Sequence, residues 1–148
     1  MKLALKLFIL ILALAVLGTY VIAKIREARI EARYPPIGQT VKVNGKNVQA
    51  YVTGSGPDLV MIHGSSGNMR DLILALEDTL APHFRLIIFD RPGLGYSDRI
   101  SSDGDKFIDQ AMILRDAAKQ LGAENPIVLG HSLGGIISMA WATQAPDD

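Results

Sequence analysis

The pattern of apolar and polar positions divides the chain into an N-terminal segment and a globular part. An uncharged, strongly apolar run covers residues 7–23, with Lys6 before it and Lys24 after it. A helix needs about 20 apolar residues to cross a bilayer, and this run is close to the minimum. The pattern therefore predicts a transmembrane helix in residues 1–24.

The apolar run has two interpretations, an uncleaved signal anchor or a secretory signal peptide that is cut after Val21-Ile22-Ala23. The run is long for the core of a signal peptide, and Tyr20 and Ile22 are bulky near the proposed cut, which favours the anchor. Basic residues flank the run on both sides, so the sequence does not determine on which side of the membrane the rest of the chain lies. We expect a single-pass membrane protein with an N-terminal anchor.

Residues 25–37 form a polar connection. Charged residues alternate with Ala and Ile up to Arg33, which predicts a helical continuation outside the membrane that acts as a solvated stalk. Pro35 and Pro36 end this helix, because proline lacks an N–H donor and restricts the residue before it. The sequence thus predicts a stalk and proline hinge in 25–37 and a globular domain in 38–148.

The globular domain opens with two alternating stretches, 40–43 and 48–52, joined by Asn44-Gly45. This pattern predicts a β-hairpin. Continuous apolar runs follow. They predict strands that are buried within a sheet at 59–62 and 86–89, and a further strand at 127–129.

Helical apolar spacing separates and follows these runs. The first predicted helix begins after Asn68, a good N-cap, the second covers about 105–121, and the third covers 133–145. The expected apolar positions are Leu72, Leu76 and Leu80 in the first helix, and Phe107, Ile108, Ala111, Met112, Ala118 and Leu121 in the second. The alternation of strands and helices predicts an α/β domain with a mainly parallel sheet flanked by helices. Such sheets bind ligands at their carboxyl edge, where the glycine-rich loops after the buried strands would meet.

Charge and composition exclude several classes of function. The chain of 148 residues has a formal net charge of zero, which argues against a nucleic-acid-binding protein. It has no cysteine, so neither a thiolate nucleophile nor a thiolate metal site is available.

The candidate chemistry centres on Gly130-His131-Ser132-Leu133-Gly134. A β-branched apolar run enters this stretch and a small-residue run leaves it, which predicts a strand that turns sharply into a helix. The two glycines would let strand and helix approach, while the serine hydroxyl would stand clear at the helix N-terminus. The simpler interpretation is a glycine-rich corner with a solvated serine.

This stretch resembles the nucleophile elbow of the α/β-hydrolase family, and two further stretches support the resemblance. His63-Gly64-Ser65-Ser66-Gly67 resembles the family's His-Gly-x-x-Gly loop, and residues 90–97 resemble its Asp-x-Pro-Gly-x-Gly-x-Ser loop. Together the matches extend over about 39–145. The resemblance implies Ser132 as nucleophile and the backbone N–H groups of Ser65 and Leu133 as the oxyanion hole. It implies supporting roles for His63, Gly64, Asp90, Gly130, His131 and Gly134.

The resemblance also narrows the reaction. Relatives with aspartate at the corner open epoxides or displace halides, whereas Ser132 implies acyl transfer, such as hydrolysis of an ester, thioester, amide or lactone. The expected partner is a small-molecule acyl substrate, and this chemistry needs no metal or cofactor.

A complete triad needs an acid and a histidine that follow the serine in this family. The chain has three histidines, His63, His83 and His131, and none precedes or follows Ser132 at a position that suits the base. The sequence therefore predicts the N-terminal part of a membrane-anchored serine hydrolase, with a sheet that is incomplete at the C-terminus and with no activity on its own. The alternative is a membrane-tethered, non-catalytic module of the same fold.

Overall fold

A computed structural model describes residues 2–101 and 106–147 and divides the chain into two compact units, Met1–Pro36 and Ile37–Asp148. The first unit is a single helix, α1, Lys2–Arg33, none of whose side chains is buried. Its most apolar window of 18 residues has a mean hydropathy of 2.5, so α1 is long and apolar enough to cross a membrane. The predicted helical continuation and its end before Pro35 are confirmed.

The second unit contains one five-stranded sheet in the order β1-β2-β4-β3-β5. The strands are β1 Gln39–Val43, β2 Lys46–Gly54, β3 Asp58–Ile62, β4 Arg85–Phe89 and β5 Ile127–Gly130. The hairpin and strands β3, β4 and β5 were all predicted. Strand β5 lies at the edge of the sheet and is only half-buried, with Ile127 54% exposed. The sheet is mixed rather than mainly parallel, because β2 runs antiparallel to both β1 and β4, while β3 runs parallel to β4 and β5.

In the part of the chain that the structure describes, three helices cover the sheet: α2 Met69–Leu80, α3 Phe107–Gln120 and α4 Leu133–Gln144. The predicted cap of α2 is confirmed as a capping box, in which Asn68 Oδ1 accepts from Arg70 N–H at 2.8 Å and Asp71 Oδ2 accepts from Asn68 N–H at 3.1 Å. The predicted start of the second helix at Asp105 lies outside the described residues.

The apolar face predicted for α3 is partly wrong. Ala111 and Ala118 are buried as expected, but Phe107 and Ile108 are 41% and 47% exposed. The buried face instead continues through Ile113, Leu114 and Ala117. The helix carries apolar residues around most of its circumference, so the pattern alone did not select the face that packs on the sheet.

The core lies on both sides of the sheet. Val60 and Ile62 of β3 pack with Ile137 and the buried face of α3 on one side, whereas Leu59 and Met61 pack with α2 on the other. This alternation makes β3 and β4 buried on both faces. Since β3, β4 and β5 are parallel, the loops that follow them leave the sheet at the same edge.

Candidate active site

The strand-to-helix corner is as tight as the sequence predicts. Strand β5 ends at Gly130 and α4 begins at Leu133, which leaves only two residues for the turn. Ser132 has φ 53° and ψ −118°, a conformation that glycine adopts freely and that strains other residues. Its side chain is exposed and does not cap α4.

Two glycines make this corner sterically possible. A Cβ atom on Gly130 would lie 2.2 Å from Gly134 O, and one on Gly134 would lie 2.2 Å from Ile62 O. The corner is tied to the neighbouring strand by His131 N–H, which donates to Ile62 O at 2.9 Å. Close contacts with β3 therefore hold Ser132 in its strained conformation.

The loop after β3 lies against the corner. A Cβ atom on Gly64 would lie 3.2 Å from Ser132 Cβ and 3.1 Å from His131 Nδ1. Ser65, next in the loop, is exposed. Within residues 2–101 and 106–147, no hydrogen bond takes up the N–H of Ser65 or that of Leu133. The structure thus brings an exposed hydroxyl and two unengaged N–H groups to one edge of the sheet.

His63 connects two loops beneath this edge. Its Nε2 accepts from Arg91 N–H at 3.0 Å, so the proton of the neutral ring is on Nδ1, which donates to Gly64 O at 2.9 Å. Burial is the main cause that lowers the pKa of His63 below its usual value of 6.5. Because both ring nitrogens are engaged and the ring is buried, His63 is not available as a general base.

Asp90 organises the loop after β4. Its carboxylate is buried and accepts from Met69 N–H at 2.8 Å and from Tyr96 N–H at 2.9 Å. A Cβ atom on Gly95 would lie within 2.5 Å of both carboxylate oxygens, so the loop closes tightly over the side chain. Asp90 therefore fixes the first turn of α2 to the loop that follows β4.

Arg91 is a buried residue of the site that sequence reasoning missed. Its guanidinium donates through Nη1 to Gln110 Oε1 at 3.2 Å and through Nη2 to Gly64 O at 3.0 Å. Burial lowers the pKa of Arg91. In the sequence Arg91 stands between Asp90 and Pro92, just after β4, and this position gave no indication of its partners.

The other two histidines take no part in the hydrogen bonds of His63, Asp90 and Arg91. His131 is exposed at the corner and directly precedes Ser132. His83 is exposed between α2 and β4, with its carbonyl close to Gly56, at the amino end of the parallel strands. Among the described residues, no cluster of three or more His, Cys, Asp or Glu side chains could hold a metal ion.

Comparison with known proteins identifies the fold. A family model described as the α/β-hydrolase fold matches residues 57–148. The chain belongs to the α/β-hydrolase fold family. In this α/β-hydrolase chain, the sheet order and the strand–helix corner bring Ser132 next to the loop that contains Gly64 and Ser65.

Its relatives catalyse different reactions. The chain is 37% identical over 94 residues to the pimeloyl-[acyl-carrier protein] methyl ester esterase of Vibrio campbellii, which covers 63% of this chain and 34% of the esterase. It is 34% identical over 97 residues to haloalkane dehalogenase 2 of Mycobacterium tuberculosis, covering 64% of this chain and 32% of the dehalogenase.

A solved structure of the N-acyl homoserine lactonase AidH in complex with N-butanoyl homoserine superposes with a TM-score of 0.67. Sequence identity is 28%, and the match covers 74% of this chain and 41% of the lactonase. The chain thus spans about a third of the length of the curated relatives that it matches.

Proposed function

We propose that this chain carries the nucleophile and the oxyanion hole of a serine hydrolase that acts on a carboxylic ester or a related acyl substrate. The observation that carries the proposal is the exposed Ser132 in its strained corner, beside the loop of Gly64 and Ser65. Ser132 Oγ bonds to the carbonyl carbon while its proton passes to a general base, and the carbonyl π electron pair moves to oxygen to form an oxyanion whose later collapse expels the leaving group. The N–H groups of Ser65 and Leu133 stabilise this oxyanion.

The residue at the corner favours acyl chemistry. A serine hydroxyl forms an acyl ester with a carbonyl carbon, whereas an aspartate at the same position forms an alkyl ester when it displaces a halide. The esterase and the lactonase among the similar proteins have names that indicate acyl substrates, which supports this choice. No metal or cofactor takes part in the proposed reaction.

The general base has to come from another group. Both nitrogens of His63 are engaged, and His83 lies at the opposite end of the parallel strands. The side chain of His131 adjoins the nucleophile in sequence, but no acid orients its ring among the described residues. We therefore expect the 148-residue chain to react with activated acyl analogues only slowly unless a base is added.

The proposal includes a membrane anchor. Helix α1 is apolar enough to span a bilayer, and charged residues flank its apolar run. Mass spectrometry of the expressed chain separates the two interpretations. A chain with an uncleaved anchor retains residues 1–24, whereas a chain whose signal peptide has been cut begins after Ala23. Retention in the membrane pellet after alkaline extraction supports the anchor.

The proposed nucleophile is tested with a fluorophosphonate probe on the full chain in mild detergent, with and without added imidazole as an external base. We expect imidazole to accelerate labelling, and peptide mass spectrometry to find the adduct on Ser132. Ser132→Ala should abolish this adduct. Ser66→Ala removes a neighbouring exposed serine that also has a positive φ, 56°, and should leave labelling unchanged.

A folded chain in which Ser132 is not labelled would belong to a different class of function. If imidazole gives no adduct on Ser132 in the folded chain, the non-catalytic module becomes the better description. The absence of a placed base among the three histidines favours that second candidate. In that case the corner would be a structural remnant, and Ser132→Ala would leave every binding property of the chain unchanged.

A further inference from the structure

The peptide group between Gly64 and Ser65 is held from one side. Its carbonyl oxygen, Gly64 O, accepts two hydrogen bonds, from His63 Nδ1 at 2.9 Å and from Arg91 Nη2 at 3.0 Å. This peptide is trans, so its N–H points away from its C=O. The two donors therefore fix the direction of the Ser65 N–H, although neither touches it.

This peptide needs such a restraint. Gly64 has no side chain and tolerates a wide range of backbone angles, and Ser66 enters a turn with φ 56°. A peptide plane between a glycine and an exposed turn rotates easily, because few contacts oppose the rotation. His63 alone supplies one neutral donor on one side of the carbonyl. Arg91 adds a charged donor, which is the stronger kind of hydrogen bond.

The burial of Arg91 is hard to explain by stability. The residue is 3% exposed, and no ion pair among the described residues includes it. Its Nε atom has no hydrogen-bond partner in this part of the chain. A buried cation without a carboxylate is costly, and an apolar side chain of similar size would often stabilise the fold better. A role at the site accounts for its presence.

We infer that Arg91 is a positioning residue of the oxyanion hole. Its guanidinium pins Gly64 O so that the Ser65 N–H faces the developing oxyanion, and its positive charge polarises the same peptide group. A polarised peptide is a stronger donor, because hydrogen bonds to the carbonyl strengthen those that the N–H makes. This inference rests on the proposed function for its catalytic meaning, but the restraint on the peptide can be measured without turnover.

The sequence offers a direct probe of this peptide. The dipeptide Gly-Ser occurs at 54–55 and at 64–65 and nowhere else. Labelling the full chain with carbonyl-¹³C glycine and ¹⁵N serine therefore gives two carbonyl-correlated amide peaks by NMR. The 54–55 peak, at the other end of the sheet, serves as an internal control for folding.

We expect Arg91→Met to shift and broaden the 64–65 peak and to leave the 54–55 peak in place. Arg91→Lys should produce a smaller shift, because an ammonium keeps the charge but lacks the planar fork whose two nitrogens contact Gly64 O and Gln110 Oε1 separately. Arg99→Met removes an exposed arginine of the same loop and should move neither peak. A 64–65 peak that stays at its wild-type position in folded Arg91→Met overturns the inference. If that variant does not fold, an unmoved peak in Arg91→Lys overturns it.

Labelling kinetics connect the restraint to the chemistry. With imidazole present, Arg91→Met should slow fluorophosphonate labelling of Ser132 by about tenfold to a hundredfold at saturating probe. This loss of rate is smaller than the loss expected when one oxyanion donor is removed completely. Arg91→Lys should recover part of the rate. A purely structural role would reduce only the folded fraction, leaving the rate per folded molecule unchanged, and that result overturns the inference.

The restraint by Arg91 and the proposed hydrolase activity can each be rejected without the other. A 64–65 peak that moves in a chain that never labels rejects the proposed hydrolase and retains the restraint by Arg91. Normal labelling with an unmoved peak rejects the restraint and retains the hydrolase.

Discussion

The two ends of the parallel strands each carry a set of hydrogen-bonded charged or titratable side chains, and the two sets differ in burial. At the carboxyl end, His63, Asp90 and Arg91 are all buried, and their hydrogen bonds connect the loops after β3 and β4. At the amino end, Arg85 and Asp58 form an ion pair at 2.8 Å whose side chains remain 28% and 13% exposed. Water therefore reaches the charges at one end and is excluded from them at the other.

This difference shows where the fold requires its polar side chains to keep fixed positions. A partly exposed ion pair contributes little to stability and tolerates motion, because water replaces lost contacts. A buried network has no such replacement, so each group must keep its partner. We therefore expect the carboxyl end, which also carries the proposed nucleophile, to tolerate less motion than the amino end. Four predictions test how far the two ends differ.

The largest effect is expected from Gly134→Ala. A Cβ atom there would lie 2.2 Å from Ile62 O, which the backbone can relieve only by opening the corner. We expect a loss of about 4 kcal/mol or more in the free energy of unfolding, measured by urea denaturation followed by circular dichroism. The matched control is Gly135→Ala, where the nearest atom would be 3.6 Å away and alanine favours the helix by about 1 kcal/mol. Equal stability of the two variants would contradict the close approach of α4 to β3.

The next effect compares two aspartates, one buried at the carboxyl end and one half-buried at the amino end. Asp90→Asn replaces one acceptor oxygen by a donor, so Met69 N–H or Tyr96 N–H loses its partner. We expect a loss of about 2–3 kcal/mol. Asp58→Asn, at the amino end, should cost about 1 kcal/mol or less because its partner is partly exposed. A larger loss for Asp58→Asn would reverse the comparison between the two ends.

A smaller effect of opposite sign is expected at the nucleophile. Ser132→Gly removes the strain of φ 53°, and we expect it to raise the free energy of unfolding by about 1 kcal/mol. Ser132→Ala also removes the hydroxyl but keeps the strain, so its stability should stay near that of the wild type. At the other end of the sheet, Asn125 has φ 48°, and Asn125→Gly should change stability little because asparagine tolerates this region. Equal stability of Ser132→Gly and Ser132→Ala would mean that the corner stores no strain.

The smallest effect is a pH dependence. The folded pKa of His63 lies below 6.5, so the unfolded chain binds more protons as pH falls below that value. The contribution of neutral His63 is complete above about pH 6.5 and is lost as pH falls toward the folded pKa. Between about pH 7.5 and pH 5.5 we expect wild type to lose more stability than His63→Gln, by at most about 1.4 kcal/mol, the limit for one proton over one pH unit below 6.5. If wild type and His63→Gln lose the same stability over this range, burial does not hold His63 neutral.

Local patterns in the sequence determined most of the fold. Continuous apolar runs identified β3, β4 and β5, the Asn44-Gly45 pair identified the hairpin, and Asn68 identified the start of α2. Each of these signals depends on neighbouring residues and on the short-range geometry of helices, strands and turns. The corner at Ser132 was visible for the same reason, because its glycines lie within two residues of the serine.

Tertiary structure alone decided the parts that depend on distant partners. Arg91 meets Gly64 and His63 only because β3 and β4 pair in a parallel register that brings residues 62 and 89 side by side. The exposure of Phe107 and the burial of Leu114 depend on which face of α3 reaches the sheet. A periodic pattern reports that a residue is apolar or that a chain turns. It carries no information on which side chains, far apart in sequence, share a hydrogen bond in the core.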